Sequence, residues 1–77
     1  KKVKKLIETS EVINRFNEIF PQLEKIVEPI KLEKKTLVLK VENPSWRNEL
    51  FLQKEILVEK INEFFQEERI KQIIFLG

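Results

Sequence analysis

Apolar residues recur along this chain with two different periods, and the change between them falls at Asn43-Pro44. Before it, Leu37, Leu39 and Val41 alternate with Val38, Lys40 and Glu42, the period of two that marks a strand. After it, Trp46, Leu50, Leu57, Ile61 and Phe64 recur at helical spacing and share one narrow sector of a helical wheel, flanked by Val58 and Phe65. The switch predicts a strand-to-helix junction. Asn43 is the expected cap, and Pro44 suits the first helical position, where a missing N–H costs nothing; Ser45 is a competing cap. The spacing predicts one long helix from Pro44 to Phe65. Leu52 and Ile56 lie well off its apolar sector, as stray surface aliphatics or as a patch for a partner.

The same reading extends to both sides. Lys1 to Ile7 reads as a short helical lead-in, with Val3, Leu6 and Ile7 on one face and Lys1, Lys2, Lys4 and Lys5 on the other. Thr9 or Ser10 then caps a helix whose stripe includes Val12, Ile13, Phe16, Ile19 and Phe20. Pro21 deletes a backbone hydrogen bond and clashes with the preceding turn, so a helix ends near Phe20 and a shorter one runs from Pro21 to about Val27. Ile30 to Glu33 and Thr36 to Glu42 alternate on either side of Lys34-Lys35, a β-hairpin whose turn lacks the Asn-Gly or Asp-Gly that tight loops favour. Ile30, Leu32, Leu37, Leu39 and Val41 are expected to face the helices, and Lys31, Glu33, Val38, Lys40 and Glu42 to face outward. After a polar connection, Gln66 to Arg69, a strand from Ile70 to Leu76 closes the chain, with Ile73 and Phe75 on one face. The order is helices, β, β, long helix, β. A final strand reached through a helix lies parallel to a strand already in the sheet. The expected fold is a two-layer α+β domain, a three-stranded mixed sheet with helices on one face and the other face open, carrying Lys31, Val38, Lys40 and Ile74.

Composition narrows the chemistry. The 77 residues fit a single domain over 1–77; beginning on Lys rather than Met, the chain reads as an excised piece or the ordered part of a longer protein. With neither His nor Cys, the usual transition-metal sites and the Cys/His and Ser–His–Asp nucleophile systems are excluded. Gly77 is the only glycine, so no Gly-rich phosphate loop can form. Carboxylate pairs such as Glu55/Glu59 and Glu67/Glu68 sit where ion pairing is the ordinary role, and no catalytic residue is assigned. Charged residues make up 36% of the chain, yet the net charge is only +2, an ion-pair-laced surface rather than a polycation. Heavy Lys, Glu and Ile usage without Cys or Met leans toward a thermophile. No apolar run spans a membrane, and no secretory signal pattern is present.

Taken together, the blocks resemble a known family. A stripe helix is followed by Pro29-x-x-Leu32, Leu37-x-Leu39-x-Val41 and Ser45-Trp46-x-x-Glu49-Leu50. A long helix then carries Leu57 and Ile61-Asn62, and Ile70-x-x-Ile73-x-Phe75-x-Gly77 closes the pattern. This order and spacing, over about Ile13 to Gly77, is similar to the DciA family, bacterial loaders or recruiters of the DnaB-type replicative helicase. The family usually has Trp at the place of Phe16, Gly at that of Pro21, and often Gly in the turn held here by Lys34 and Lys35. The resemblance implies a KH-like domain, binding to the helicase and to single-stranded DNA, a cytoplasmic, nucleoid-associated location, and no chemistry, cofactor or small-molecule substrate of its own.

Under that reading, Lys1, Lys2, Lys4 and Lys5 form the densest candidate for phosphate contact, against the ordinary alternative of a solvated face. Lys31, Lys34, Lys35 and Lys40 form a second patch beside apolar Val38 and Ile74, the combination a groove for a single strand requires. Arg47, at a helix N-terminus, is a third candidate. Sequence-specific base reading is not expected, because Arg, Asn and Gln do not cluster on one face. Trp46, Leu52 and Ile56 are the candidates for partner contact, although the spacing of Trp46 fits a core anchor sealing the helix onto the sheet. Two other readings remain: a KH-like RNA-binding module in RNA or ribosome metabolism, without the Gly-x-x-Gly loop of ordinary KH domains, and a structural domain that self-associates through the open sheet face or the final strand.

Overall fold

A computed structural model describes residues 11–77. The lead-in helix, the Thr9/Ser10 cap and the Lys1, Lys2, Lys4 and Lys5 cluster lie outside the described residues. Residues 11–14 are helical, a turn follows at Arg15, and a short helix α1 (Phe16–Ile19) precedes a 3-10 turn at Pro21–Leu23. Pro21 ends the helix as its chemistry requires, but the segment after it is a single 3-10 turn rather than a helix reaching Val27. Val12, Phe16, Phe20, Leu23 and Val27 are all buried, and the rings of Phe16 and Phe20 lie 5.2 Å apart.

The hairpin forms with β1 (Glu28–Glu33) antiparallel to β2 (Thr36–Lys40). Lys34 and Lys35 both take positive φ, 49° and 64°, the left-handed pair that a two-residue type I′ turn demands. The turn is braced from outside, because the Lys35 carbonyl accepts the N–H groups of Lys71 (2.7 Å) and Gln72 (3.3 Å). Leu37, Leu39 and Val41 are buried as the alternation predicts. Ile30 is not: the register slips between Pro29 and Lys31, and this bulge turns Ile30 outward to 41% exposure. Val38 does point to the open face, but as the centre of a three-strand row it is covered by its neighbours and only 8% exposed.

The second helical segment is two helices, α2 (Pro44–Leu52) and α3 (Lys54–Phe65), broken at Gln53. Asn43 caps α2, its side-chain oxygen accepting from the N–H of Ser45 (2.9 Å) and Trp46 (3.2 Å). Leu50, Leu57 and Ile61 are buried on the sheet side, whereas Trp46 and Phe64, at the outer ends of the pair, are each 41% exposed. Periodicity fixes a side chain's direction around the axis but not whether the sheet extends far enough to cover it.

α3 ends in a Schellman motif with Gln66 at φ 57°: Glu67 N–H donates to Asn62 O (3.1 Å) and Gln66 N–H to Glu63 O (3.1 Å). The Asn62 side chain then holds the connection to the last strand. Its oxygen accepts from the N–H of Arg69 (2.9 Å) and Ile70 (3.1 Å), and its amide donates to Ile70 O (3.0 Å). Arg69 stacks over Phe65 at 4.5 Å, pairs with Glu67, and reaches Glu11 at 3.3 Å, tying this connection to the first helical segment.

β3 (Gln72–Leu76) pairs parallel to β2, giving the sheet order β1-β2-β3. It starts two residues later than the sequence suggests; Ile70, ahead of it, is fully buried. The result is the expected two-layer α+β domain with a three-stranded mixed sheet. Its open face carries the rows Lys31–Val38–Ile74 and Glu28–Lys40–Leu76, and beyond them Glu33–Thr36–Gln72.

Candidate functional site

The N-terminal turn of α2 presents two neighbouring side chains in different environments. Arg47 turns toward the strand ends, where its Nη1 donates to the carbonyl of Val41 at 2.8 Å. The guanidinium also lies against Gly77: a Cβ there would stand 2.6 Å from Nη1, so a glycine leaves room for the contact. Arg47 therefore links the start of α2 to the ends of β2 and β3, and its first role is in the fold.

Trp46 projects away from this clamp and forms a ridge between two clefts. On one side a cleft of about 520 Å³ runs between the 3-10 turn and the two helices. Phe20, Leu23, Leu50 and Leu57 contribute its apolar lining, with Trp46 and Ile56 beside them. Its rim is polar; Gln53 Nε2 donates to Glu49 Oε2 at 3.0 Å, and Lys60 stands nearby. On the other side is a more charged cleft of about 710 Å³, where Trp46 meets Glu24, Lys25, Glu28, Lys40 and Glu42. The structure thus brings Trp46 and Ile56 to one apolar cleft. Leu52, 70% exposed, is not among its lining residues.

Phe51 is a surface residue the helical stripe does not single out. It is 50% exposed, meets Phe75 edge-on at 6.5 Å, and carries Lys54 Nζ 4.2 Å above its ring. No sequence pattern separates it from Leu50, its buried neighbour, except the change of helical face.

The lysines of the second patch are spread along the hairpin, Lys34 and Lys35 at its tip, Lys31 on β1 and Lys40 at the far end of β2, and most are accompanied by a carboxylate. Lys31 pairs with Glu33 at 3.4 Å, Lys40 with Glu42 at 3.6 Å, and Lys35 with Glu68 at 3.3 Å. These pairs are exposed, and such pairs contribute little, so a phosphate can replace the carboxylate at small cost. Among the described residues Lys34, at the hairpin tip, has no ion-pair partner. No group of three or more acidic residues among those described is arranged to hold a metal ion. No helix among them is long and apolar enough to cross a membrane.

No curated protein matches the chain. The family described as "Dna[CI] antecedent, DciA" matches residues 1–75, almost the full 77. Its proteins are associated with loading of the DnaB-type helicase in DNA replication and are not a known enzyme family. The match covers the hairpin, the capped Trp46 turn, the Asn62 connection and nearly all of β3, and the chain belongs to the DciA family.

Proposed function

We propose that this domain is a replication accessory module that recruits or loads the DnaB-type helicase and holds single-stranded DNA without sequence preference. The observation that carries the reading is the family match over residues 1–75. The apolar cleft between Trp46 and Ile56 is the surface we assign to the helicase, because it offers a half-exposed aromatic beside an apolar floor and a polar rim, the composition of interface hot spots. Leu52, exposed on α2 outside the cleft lining, is assigned to the same partner as a separate contact. DNA contact is assigned to Lys34 and Lys35 at the hairpin tip and to Lys31 and Lys40 on the open face, with Lys1, Lys2, Lys4 and Lys5 adding charge. The domain is read as KH-like in its lineage, as working in the cytoplasm with the nucleoid, and as performing no chemistry of its own.

The test is a calorimetric titration of the domain into the purified replicative helicase of the same organism, with and without a short single-stranded oligonucleotide. Saturable binding is expected, weakened at least tenfold by Trp46→Ala or Ile56→Glu, a loss of about 1.4 kcal/mol or more. Absence of binding by the unaltered domain would refute the helicase role. Binding to RNA clearly stronger than to DNA, with no helicase contact, would move the assignment to an RNA-binding module.

A further inference from the structure

The two edges of the sheet are built differently. At the β1 edge, Pro29 lacks a donor, a bulge follows it, and Glu28, Lys31 and Glu33 bring charge. These are the devices that keep an edge strand from pairing with another chain. The β3 edge has none of them: Gln72-Ile73-Ile74-Phe75-Leu76 contains no charge, no proline and no bulge. Among the described residues no strand pairs with its outer side.

The hydrogen bonds fix which main-chain groups point outward. Gln72 N–H donates to Lys35 O at 3.3 Å, and Leu76 O accepts from Val41 N–H at 2.8 Å. Gln72 and Leu76 therefore turn their main-chain groups toward β2, and alternation does the same for Ile74. The main-chain groups of Ile73 and Phe75 point to the free side, while their side chains face the core.

We propose that β3 pairs with β3 of a second copy of this chain, antiparallel, about a two-fold axis at Ile74. In that register Ile73 of each chain faces Phe75 of the other, and each pair exchanges two N–H···O bonds. Ile74 meets its own copy at the position between them, where opposed Cα atoms come to about 4.5 Å and side chains touch. This places the exposed Ile74 against an identical residue on the open face and extends the apolar row begun by Val38. Because the strand is uncharged, a two-fold copy brings no like charges into opposition along it. Five residues per strand cover far less than the roughly 800 Å² per partner of a standard interface, so the dimer is weak and concentration-dependent. The inference is independent of the helicase reading.

Sedimentation equilibrium of the full chain from micromolar to millimolar concentration tests it. The unaltered chain is expected to dimerise within this range. Ile74→Lys and Ile74→Glu, at a half-exposed site that tolerates charge, are each expected to stay monomeric, and their equal mixture to associate again through the opposed charges. Ile30→Lys, of similar exposure at the β1 edge, is expected to leave association unchanged. In hydrogen exchange, the Ile73 and Phe75 amides gain protection as concentration rises. A chain that stays monomeric at millimolar concentration overturns the proposal, as does a dimer that persists in Ile74→Lys, a mixture that does not recover, or protection that appears on β1 instead.

Discussion

Asn62→Ala isolates the contact that joins the helical layer to the last strand. The side chain accepts from Arg69 N–H and Ile70 N–H and donates to Ile70 O, three bonds of 2.9 to 3.1 Å. Ile70 itself is fully buried, so its main-chain groups recover little hydration when the amide is removed. At about 1 kcal/mol per bond the loss is about 3 kcal/mol. Alanine's higher helix propensity returns about 0.6 kcal/mol of it, leaving about 2.4 kcal/mol. For a domain of this size that lowers Tm by roughly 10–20 °C. Asn48→Ala is the matched control, because Asn48 is exposed on α2 and gains the same propensity without losing those bonds. Urea unfolding followed by far-UV circular dichroism gives both values, provided the slope with denaturant is the same in each. If the two variants differ by less than about 0.5 kcal/mol, Asn62 is not the staple described.

Two further substitutions test local backbone geometry. Gln66→Gly removes a side chain from the left-handed position that closes α3, and the relief of about 1–2 kcal/mol outweighs the added freedom of glycine in the unfolded chain; a net gain of about 0.5–1 kcal/mol in urea unfolding is expected. Replacing Lys34-Lys35 by Asn-Gly, the preferred pair for a type I′ turn, is expected to raise stability by about 1 kcal/mol while weakening single-stranded DNA binding. If both lysines touch phosphate, the slope of log K against log salt becomes shallower by about 1.4; an unchanged slope would remove the hairpin tip from the DNA interface.

The hairpin, the Asn43 cap and the stop at Pro21 were legible from local pattern and chemistry, whereas the two-residue type I′ turn was not, because Lys34-Lys35 lacks the Asn-Gly or Asp-Gly that signals it. The Gln53 break was not. It involves neither Pro nor Gly, and Leu50, Leu57 and Ile61 keep a common direction across it, so the helical wheel looks continuous. Ile30 defeated the alternation because the bulge next to Pro29 inserts a residue that a strict period of two cannot contain. For the site, the wheel separated Ile56 and Leu52 from the core face correctly, yet misjudged Trp46 and Phe64, whose exposure depends on how far the sheet reaches. Counting lysines did not reveal the carboxylates that accompany them. Lys31 and Glu33 are readable as same-face neighbours on a strand, whereas Lys35 and Glu68 are 33 residues apart and meet only in the fold.

Arg47 connects these observations to the cleft. A charged residue at a helix N-terminus suggests an anion site, but its guanidinium is bonded to the Val41 carbonyl and packed on Gly77. Those contacts, together with the buried Leu50 on the same helix, hold α2 against the sheet. Trp46 is the preceding residue, about 100° around the same helix, so with Arg47 turned to the strand ends Trp46 faces the two clefts. A tryptophan left 41% exposed forgoes burial worth about 1 kcal/mol or more, which a domain of this size could use. Under the proposed helicase contact, a partner that covers the Trp46 ring would recover that burial, so Trp46→Ala should weaken binding more than it lowers the stability of the free domain.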